Sequence, residues 1–173
     1  KAKLDPTVIN GGIINSYGSN TKLGKSDLML VETDESDGSF SLLPSFGGVI
    51  TSIDNEHIDF YGSKEKLIDS FHSYIRNISP FGFLAVSEKD RNIQAILKNY
   101  KSLNIYKYGF SNNSDIQAKI VKKNKDGIIF DVEIKNLNKK NSFIRNINFP
   151  LIGNHNVENA LAAISVCINF KIN

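Results

Sequence analysis

The sequence predicts an α/β protein with a mainly parallel sheet flanked by helices and a small antiparallel subsheet. Three observations lead to this prediction: apolar strand-like runs alternate with helical patterns, three further strand patterns follow, and an apolar helix closes the chain. Strand–helix–strand alternation favours parallel pairing, because the chain must cross back before the next strand can run in the same direction. A chain of 173 residues, 40% of them hydrophobic, can bury a core of its own. We therefore expect one domain over residues 1–173.

The parallel part is predicted from apolar runs and the helical patterns between them. Apolar residues recur every three or four positions from Leu67 to Ile78, which predicts a helix with one buried face. A second helix is expected over 92–100, and Gly11 with Gly12 is expected to turn the chain after a short strand. Buried strands are expected at 28–31, 48–53, 82–86 and 105–108.

The antiparallel subsheet is predicted over about 116–149. Its strands are expected at 116–121, 127–134 and 142–149, with a polar connection over 136–141. Asp126-Gly127 between the first two strands is typical of a tight hairpin, since glycine readily adopts the positive φ that such turns need.

The last helix is predicted to have Asn154 as its N-cap, since asparagine often occupies that position. Apolar residues at helical spacing give this helix an inward-facing stripe. The stripe consists of Val157, Ala160, Leu161, Ile164, Cys167 and Ile168.

Composition excludes several function classes. The net charge is only +3, and the lysines are scattered among Asn, Asp and Glu, which is typical of a solvated surface rather than a nucleic-acid interface. No apolar run approaches the ~20 residues that span a bilayer. The single cysteine, Cys167, cannot form an internal disulfide, which favours a reducing compartment. We expect a cytoplasmic protein that binds neither nucleic acid nor membrane.

An acidic loop follows the apolar run at 28–31. Glu32 is expected at the end of a strand, where parallel α/β sheets place ligand-binding groups, and carboxylate oxygens suit Mg²⁺. Asp34, Glu35 and Asp37 crowd the same loop and repel one another unless a cation is near. The alternative is a solvated acidic loop.

His57 lies between Glu56 and Asp59, after the run that ends at Ile53. A neutral imidazole can bind a metal ion while a neighbouring carboxylate fixes its tautomer. The alternative is a structural or merely exposed histidine.

His155, Asn156 and Asn159 fall on the first turns of the last helix, away from its apolar stripe. Asparagine amides offer a paired donor and acceptor, which suits the edge of adenine, and an imidazole can stack on a base. The alternative is an ordinary polar helix start. The sequence contains no G-x-x-x-x-G-K-[ST] phosphate loop.

Together these motifs resemble the central domain of the Mur ligases, ATP-dependent enzymes that form amide bonds in bacterial peptidoglycan synthesis. The resemblance covers essentially the whole chain. The segment Asp34–Phe40 is most similar to the branch that joins L-alanine to the lactyl carboxylate of UDP-N-acetylmuramate through an acyl phosphate. The Gly-x-His-Asn-x-x-Asn pattern from Gly153 to Asn159 is shared with the folylpolyglutamate ligases as well.

The resemblance implies ATP and Mg²⁺ as cofactors and assigns roles to the candidate residues. Glu32 would serve the Mg²⁺ held between the ATP phosphates, and His57 would serve a second Mg²⁺; both are implied catalytic and metal residues. Asp34, Glu35 and Asp37 would support them. The residues that would hold adenine are His155, Asn156 and Asn159.

The resemblance also implies a central domain truncated at both ends. The phosphate loop and the uridine-binding domain would lie before this segment, and the domain that brings the amino acid would follow it. We expect the 173-residue chain to be inactive by itself. Two alternatives remain open: a branch of the family that adds a murein tripeptide to the same carboxylate, and a nucleotide-binding module without catalysis.

Overall fold

The computed structural model describes residues 3–135 and 140–172. Its strands are β1 Thr7–Ile14, β2 Ser19–Lys22, β3 Met29–Val31, β4 Ser45–Ile50, β5 Ile78–Ser87, β6 Asn104–Gly109, β7 Ile116–Asn124, β8 Gly127–Ile134 and β9 Ser142–Phe149. Its helices are α1 Ile58–Tyr61, α2 Lys64–Arg76, α3 Arg91–Leu97 and α4 Asn154–Asn169, with a 3₁₀ turn at Ser39–Leu42.

The chain forms two compact units. The first contains the residues up to Leu43 together with His57–Tyr74, and the second contains Pro44–Glu56 and the chain from Ile75 onward. The expectation that residues 1–173 make up one domain of the family stays a prediction.

A three-stranded sheet with the order β2-β1-β3 forms the first unit. Strand β1 is antiparallel to β2 and parallel to β3. The expected turn at Gly11 and Gly12 is wrong, because strand β1 continues through both glycines, with a shift in its register against β2 between Ile9 and Ile14. The chain turns instead at Gly18, which has φ +65° and donates its N–H to the Ile14 carbonyl at 3.0 Å. Glycine occurs in strand irregularities as well as in tight turns, so the paired glycines alone do not locate the turn.

The prediction of a buried strand at 28–31 is also wrong in its burial. Strand β3 exists, but Met29, Leu30 and Val31 are all exposed. An apolar run does not by itself distinguish a buried central strand from the edge strand of a small sheet.

A six-stranded sheet with the order β4-β5-β6-β7-β8-β9 forms the second unit. Strands β4 to β7 are parallel, and β7 to β9 are antiparallel. This confirms the predicted α/β fold class with its antiparallel part. The antiparallel strands continue the parallel sheet through the β6–β7 pair, and they match the three predicted strands closely. Of the predicted connection over 136–141, residues 136–139 lie outside the described residues.

The core of the second unit lies where helix α4 packs on this sheet. Phe83, Leu84, Ala85 and Val86 are buried along β5, as expected for a strand covered on both faces. Residues of α4 pack against those of β6, β7 and β8 in one cluster. The fully buried members of the cluster include Val157 and Leu161 of α4 together with Tyr108, Phe130 and Val132 of the sheet.

Two details of α4 differ from the sequence prediction. Asn154 is the first helical residue, and Gly153, with φ +96°, occupies the capping position without a side-chain cap. The Asn154 side chain is engaged elsewhere, because its Oδ1 accepts a hydrogen bond from Lys123 Nζ at 2.9 Å. The inward stripe is present, with Ala160, Ile164 and Ile168 only partly buried and Cys167 at intermediate exposure.

None of the helices in residues 3–135 and 140–172 combines the length and the apolar character that a membrane crossing requires.

Candidate functional site

The acidic loop after β3 is folded by its own aspartates. Asp34 Oδ1 accepts hydrogen bonds from the Ser36 hydroxyl at 2.6 Å and the Ser36 N–H at 3.0 Å, and Asp37 Oδ1 accepts from the Ser39 N–H at 2.8 Å. Hydrogen bonding from the hydroxyl and then the N–H of Ser36 and of Ser39 holds the pKa values of Asp34 and Asp37, respectively, below their ordinary value, with a smaller contribution from His57 at Asp34. Both aspartates therefore stabilise the turns of the loop.

Glu35 and His57 come together within the first unit. A carboxylate oxygen of Glu35 and a ring nitrogen of His57 lie within 4.8 Å of each other. His57 precedes helix α1 in a left-handed conformation, with φ +55°. Tyr61, the last residue of α1, donates its hydroxyl to the Glu35 carbonyl at 2.6 Å. Helix α1 thus follows His57 directly, and its last residue binds the backbone of Glu35, whose side chain lies near His57.

The Tyr61 hydroxyl is suited to remain a donor. The residue is only 8% exposed, and its burial, followed by the Glu35 charge, raises the pKa of Tyr61 above its usual value of 10.0. The hydrogen bond to the Glu35 carbonyl is therefore present throughout the physiological pH range.

The Glu35–His57 pair fits a divalent cation. Ligand atoms that share one metal ion at ~2.1 Å each are at most about 4.2 Å apart, and those of Glu35 and His57 lie within 4.8 Å of each other. The carboxylate supplies the hard oxygen ligand that Mg²⁺ prefers, and the imidazole supplies a neutral nitrogen. These donors are chemically compatible with a metal ion.

Glu32 directly follows β3, which pairs in parallel with β1 in the three-stranded sheet, so it lies at the end of a strand as expected. Its expected role as a Mg²⁺ ligand stays a prediction. Its Oε2 accepts a hydrogen bond from the Gly11 N–H at 2.9 Å, and its own N–H donates to the Ile9 carbonyl at 2.8 Å. The structure brings Glu35 to His57, whereas the Glu32 carboxylate is bonded to the backbone of β1.

The segment after β4 is fixed within the second unit by two residues that sequence reasoning missed. Strand β4 ends at Ile50 rather than Ile53, because the backbone of Ile53 is bonded to side chains instead of to a strand. Its N–H donates to Asp90 Oδ2 at 3.1 Å, and its carbonyl accepts from Asn92 Nδ2 at 2.7 Å. Asp90 also caps α3 through the Ile93 N–H at 2.9 Å. An aspartate just before a helical pattern predicts the helix cap, but it does not predict the hydrogen bond that Asp90 accepts from the Ile53 N–H.

The start of α4 gathers the three residues predicted for the base. His155 and Asn159 are exposed, and Asn156 is half-buried with its Nδ2 donating to the Ile152 carbonyl at 2.8 Å. Gly153 allows this arrangement, since a Cβ at its position would lie 2.7 Å from Cε1 of the His155 ring. Helical spacing thus places the three polar side chains together at the start of α4, as predicted. Their binding of adenine stays a prediction.

The fold defines a class of protein: an α/β domain whose parallel sheet continues into antiparallel strands and whose last helix begins with exposed polar groups. The comparison with protein families identifies the member of this class. Residues 24–167 match the Mur ligase middle domain, and the chain belongs to this family.

Relatives and solved structures agree with this assignment. The chain is 42% identical over 172 residues to the UDP-N-acetylmuramate–L-alanine ligase of Pelagibacter ubique, covering 99% of this chain and 37% of that protein. The chain therefore spans a little over a third of the length of this curated relative.

Two solved structures share the fold. One is a UDP-N-acetylmuramate:L-alanyl-γ-D-glutamyl-meso-diaminopimelate ligase from Neisseria meningitides, with TM-score 0.78 and 22% identity over 98% of this chain and 54% of that one. The other is a MurF ligase from Thermotoga maritima in complex with ADP, with TM-score 0.72 and 14% identity over 99% of this chain and 40% of that one.

Proposed function

We propose that this chain is the nucleotide-handling middle part of an ATP-dependent ligase that joins L-alanine to the lactyl carboxylate of UDP-N-acetylmuramate in the bacterial cytoplasm. The observation that carries the proposal is the 42% identity, over 99% of the chain, to a protein of that name. The solved ligase that takes the tripeptide shares the fold at only 22% identity. This difference supports the alanine-adding branch over the tripeptide-adding one.

The proposed reaction has two steps. The lactyl carboxylate oxygen attacks the γ-phosphorus of ATP, giving an acyl phosphate and ADP. The amine of L-alanine then attacks the acyl carbon, and the tetrahedral intermediate expels inorganic phosphate, which leaves the amide. Both steps depend on alignment of the reactants and on neutralisation of phosphate charge.

In this proposal the first unit handles the metal. Mg²⁺, when bound, offsets the negative charge of the phosphates. Glu35 and His57 are the pair whose separation supports a shared cation. Glu32 remains a proposed Mg²⁺ ligand on the resemblance, since a carboxylate that accepts one backbone hydrogen bond still has lone pairs for a metal. Asp34 and Asp37 would keep the loop folded around these groups.

The second unit holds the base in this proposal. Asn156 already donates one amide N–H to the Ile152 carbonyl, so its Oδ1 is left to accept from the amino group of adenine. Asn159 offers both a donor and an acceptor, and the exposed His155 ring offers a stacking face. The ADP complex of the structurally similar Thermotoga ligase supports a nucleotide on this fold.

The experiment that tests the proposal uses the full-length protein that contains this segment. It is supplied with ATP, UDP-N-acetylmuramate and either L-alanine or the L-alanyl-γ-D-glutamyl-meso-diaminopimelate tripeptide, and ADP and the amide are quantified. We expect equal amounts of ADP and amide with L-alanine and a far lower kcat/KM with the tripeptide. A preference for the tripeptide would assign the chain to the other branch. Nucleotide binding without amide formation would indicate a non-catalytic module.

A further inference from the structure

An ion pair attaches the start of α4 to the sheet. Lys89 Nζ and Glu158 Oε2 are 2.6 Å apart. Lys89 lies just beyond the carboxyl end of β5, and Glu158 lies in the second turn of α4, next to Asn159. The pair therefore joins the loop after a central strand to the part of α4 that carries the residues proposed for the base.

The Glu158 carboxylate is largely withdrawn from solvent. Its side chain is 12% exposed, whereas that of Lys89 is 67% exposed. On its inner side is Tyr108, which is 1% exposed and lies in β6; burial, and to a lesser extent the Glu158 charge, raise the pKa of Tyr108 above its usual value. A carboxylate so little hydrated is costly without a partner, and Lys89 is the cation paired with it.

A second contact holds the same helix start from the other side. Lys123, near the end of β7, donates to Asn154 Oδ1 at 2.9 Å. Helix α4 is therefore tied to β7 at its first residue and to the loop after β5 one turn later. Because Asn156 and Asn159 flank Glu158 in the helix, a displacement of Glu158 would displace both amides.

We propose that Lys89 and Glu158 are positioning residues for the nucleotide. They hold the first two turns of α4 in place, and the lysine neutralises a carboxylate that would otherwise repel the phosphates of ATP. The inference rests on the proposed binding of the base by His155, Asn156 and Asn159, and adds to it the charge pair that sets their position.

The test measures ATP and ADP binding to the full-length protein by calorimetry, together with kcat and KM. The variants are Lys89→Met, Glu158→Gln, Lys89→Glu and the reversed pair Lys89→Glu with Glu158→Lys. From the strength of partly exposed ion pairs we expect Lys89→Met and Glu158→Gln to raise Kd and the KM for ATP about two- to fivefold, with kcat changed less. Lys89→Glu should have a larger effect, and the reversed pair should recover most of the affinity.

A second ion pair in the same sheet provides the matched control. Lys119 Nζ and Glu133 Oε2 are 3.4 Å apart, join β7 to β8, and have side chains 63% and 16% exposed. Lys119→Met and Glu133→Gln should leave nucleotide affinity unchanged. Equal effects at both pairs, or none at Lys89 and Glu158, would overturn the inference.

Asn159→Ala separates this inference from the proposed function. If Asn159→Ala weakens binding but the Lys89 and Glu158 variants do not, only the positioning role is wrong. If the unmodified full-length protein binds neither ATP nor ADP, or Asn159→Ala has no effect, the proposed base site is wrong and the positioning role falls with it. Because the Lys89 side chain is exposed, we expect Lys89→Met to leave the core intact. A change in its nucleotide affinity would therefore not be caused by a disturbed core.

Discussion

Glu32 and Glu35 lie three residues apart, yet the structure gives their side chains different partners. The Glu32 carboxylate accepts the Gly11 N–H, while the Glu35 carboxylate faces His57 within 4.8 Å. Sequence reasoning ranked Glu32 first because it follows an apolar run. The Tyr61 hydroxyl also bonds the Glu35 carbonyl, and this contact across 26 positions is not revealed by any local sequence pattern.

The metal assignment can be tested with Glu35→Gln and Glu32→Gln in the full-length protein. We expect Glu35→Gln to weaken Mn²⁺ binding, followed by electron paramagnetic resonance, by about tenfold or more, because a direct charged ligand of the cation is lost. Glu32→Gln should weaken it less, since its carboxylate already serves the backbone of β1. A larger effect at Glu32 would show that the resemblance, and not the Glu35–His57 pair, identifies the principal ligand.

At the scale of elements, the two sheets differ in how predictable they were. Strands β7, β8 and β9 carry alternating patterns separated by recognisable turns, so their number and positions could be predicted. Helix α4 was equally clear from its apolar stripe. The three-stranded sheet could not be predicted in the same way, because β1 contains two glycines and β3 is an exposed apolar edge strand. The predicted N-cap of α4 is wrong, because Gly153 occupies that position and the Asn154 side chain accepts a hydrogen bond from Lys123 instead.

The link between β1 and β2 should depend on pH. The Lys22 ammonium, at 2.6 Å, and the Lys25 N–H, at 3.1 Å, hold the pKa of Asp5 below its usual value of 3.8. A lowered folded-state pKa means that the carboxylate stabilises the fold above the unfolded pKa, and that this contribution is lost as the pH falls through the folded-state value. We expect Asp5→Asn to lower the free energy of unfolding at pH 7 and to have little effect near pH 2.

Urea unfolding at both pH values checks this prediction, with Asp27→Asn as a control that removes a carboxylate from the connection between β2 and β3. An Asp5→Asn effect of the same size at pH 2 as at pH 7 would contradict it, because the carboxylate is protonated in acid and can no longer accept the two hydrogen bonds as an anion.

At the scale of the whole molecule, the chain carries the two sets of groups that we propose for metal and base binding in a carboxylate-activating ligase. The first unit brings together an acid–imidazole pair that fits a cation, and the second presents amides and an imidazole at a helix start. The chain spans 37% of its Pelagibacter relative and contains no G-x-x-x-x-G-K-[ST] motif. We therefore expect amide formation from the full-length protein and none from the 173-residue chain by itself.

The central claim is that the chain belongs to a ligase that activates a carboxylate as an acyl phosphate. The most direct measurement is transfer of ¹⁸O from labelled lactyl carboxylate of UDP-N-acetylmuramate to inorganic phosphate, followed by mass spectrometry, with the full-length protein, ATP and L-alanine. With both carboxylate oxygens labelled, we expect one ¹⁸O in each phosphate released, because the carboxylate oxygen that attacks the γ-phosphorus leaves with it. Phosphate without the label, in a reaction that forms the amide, would contradict it.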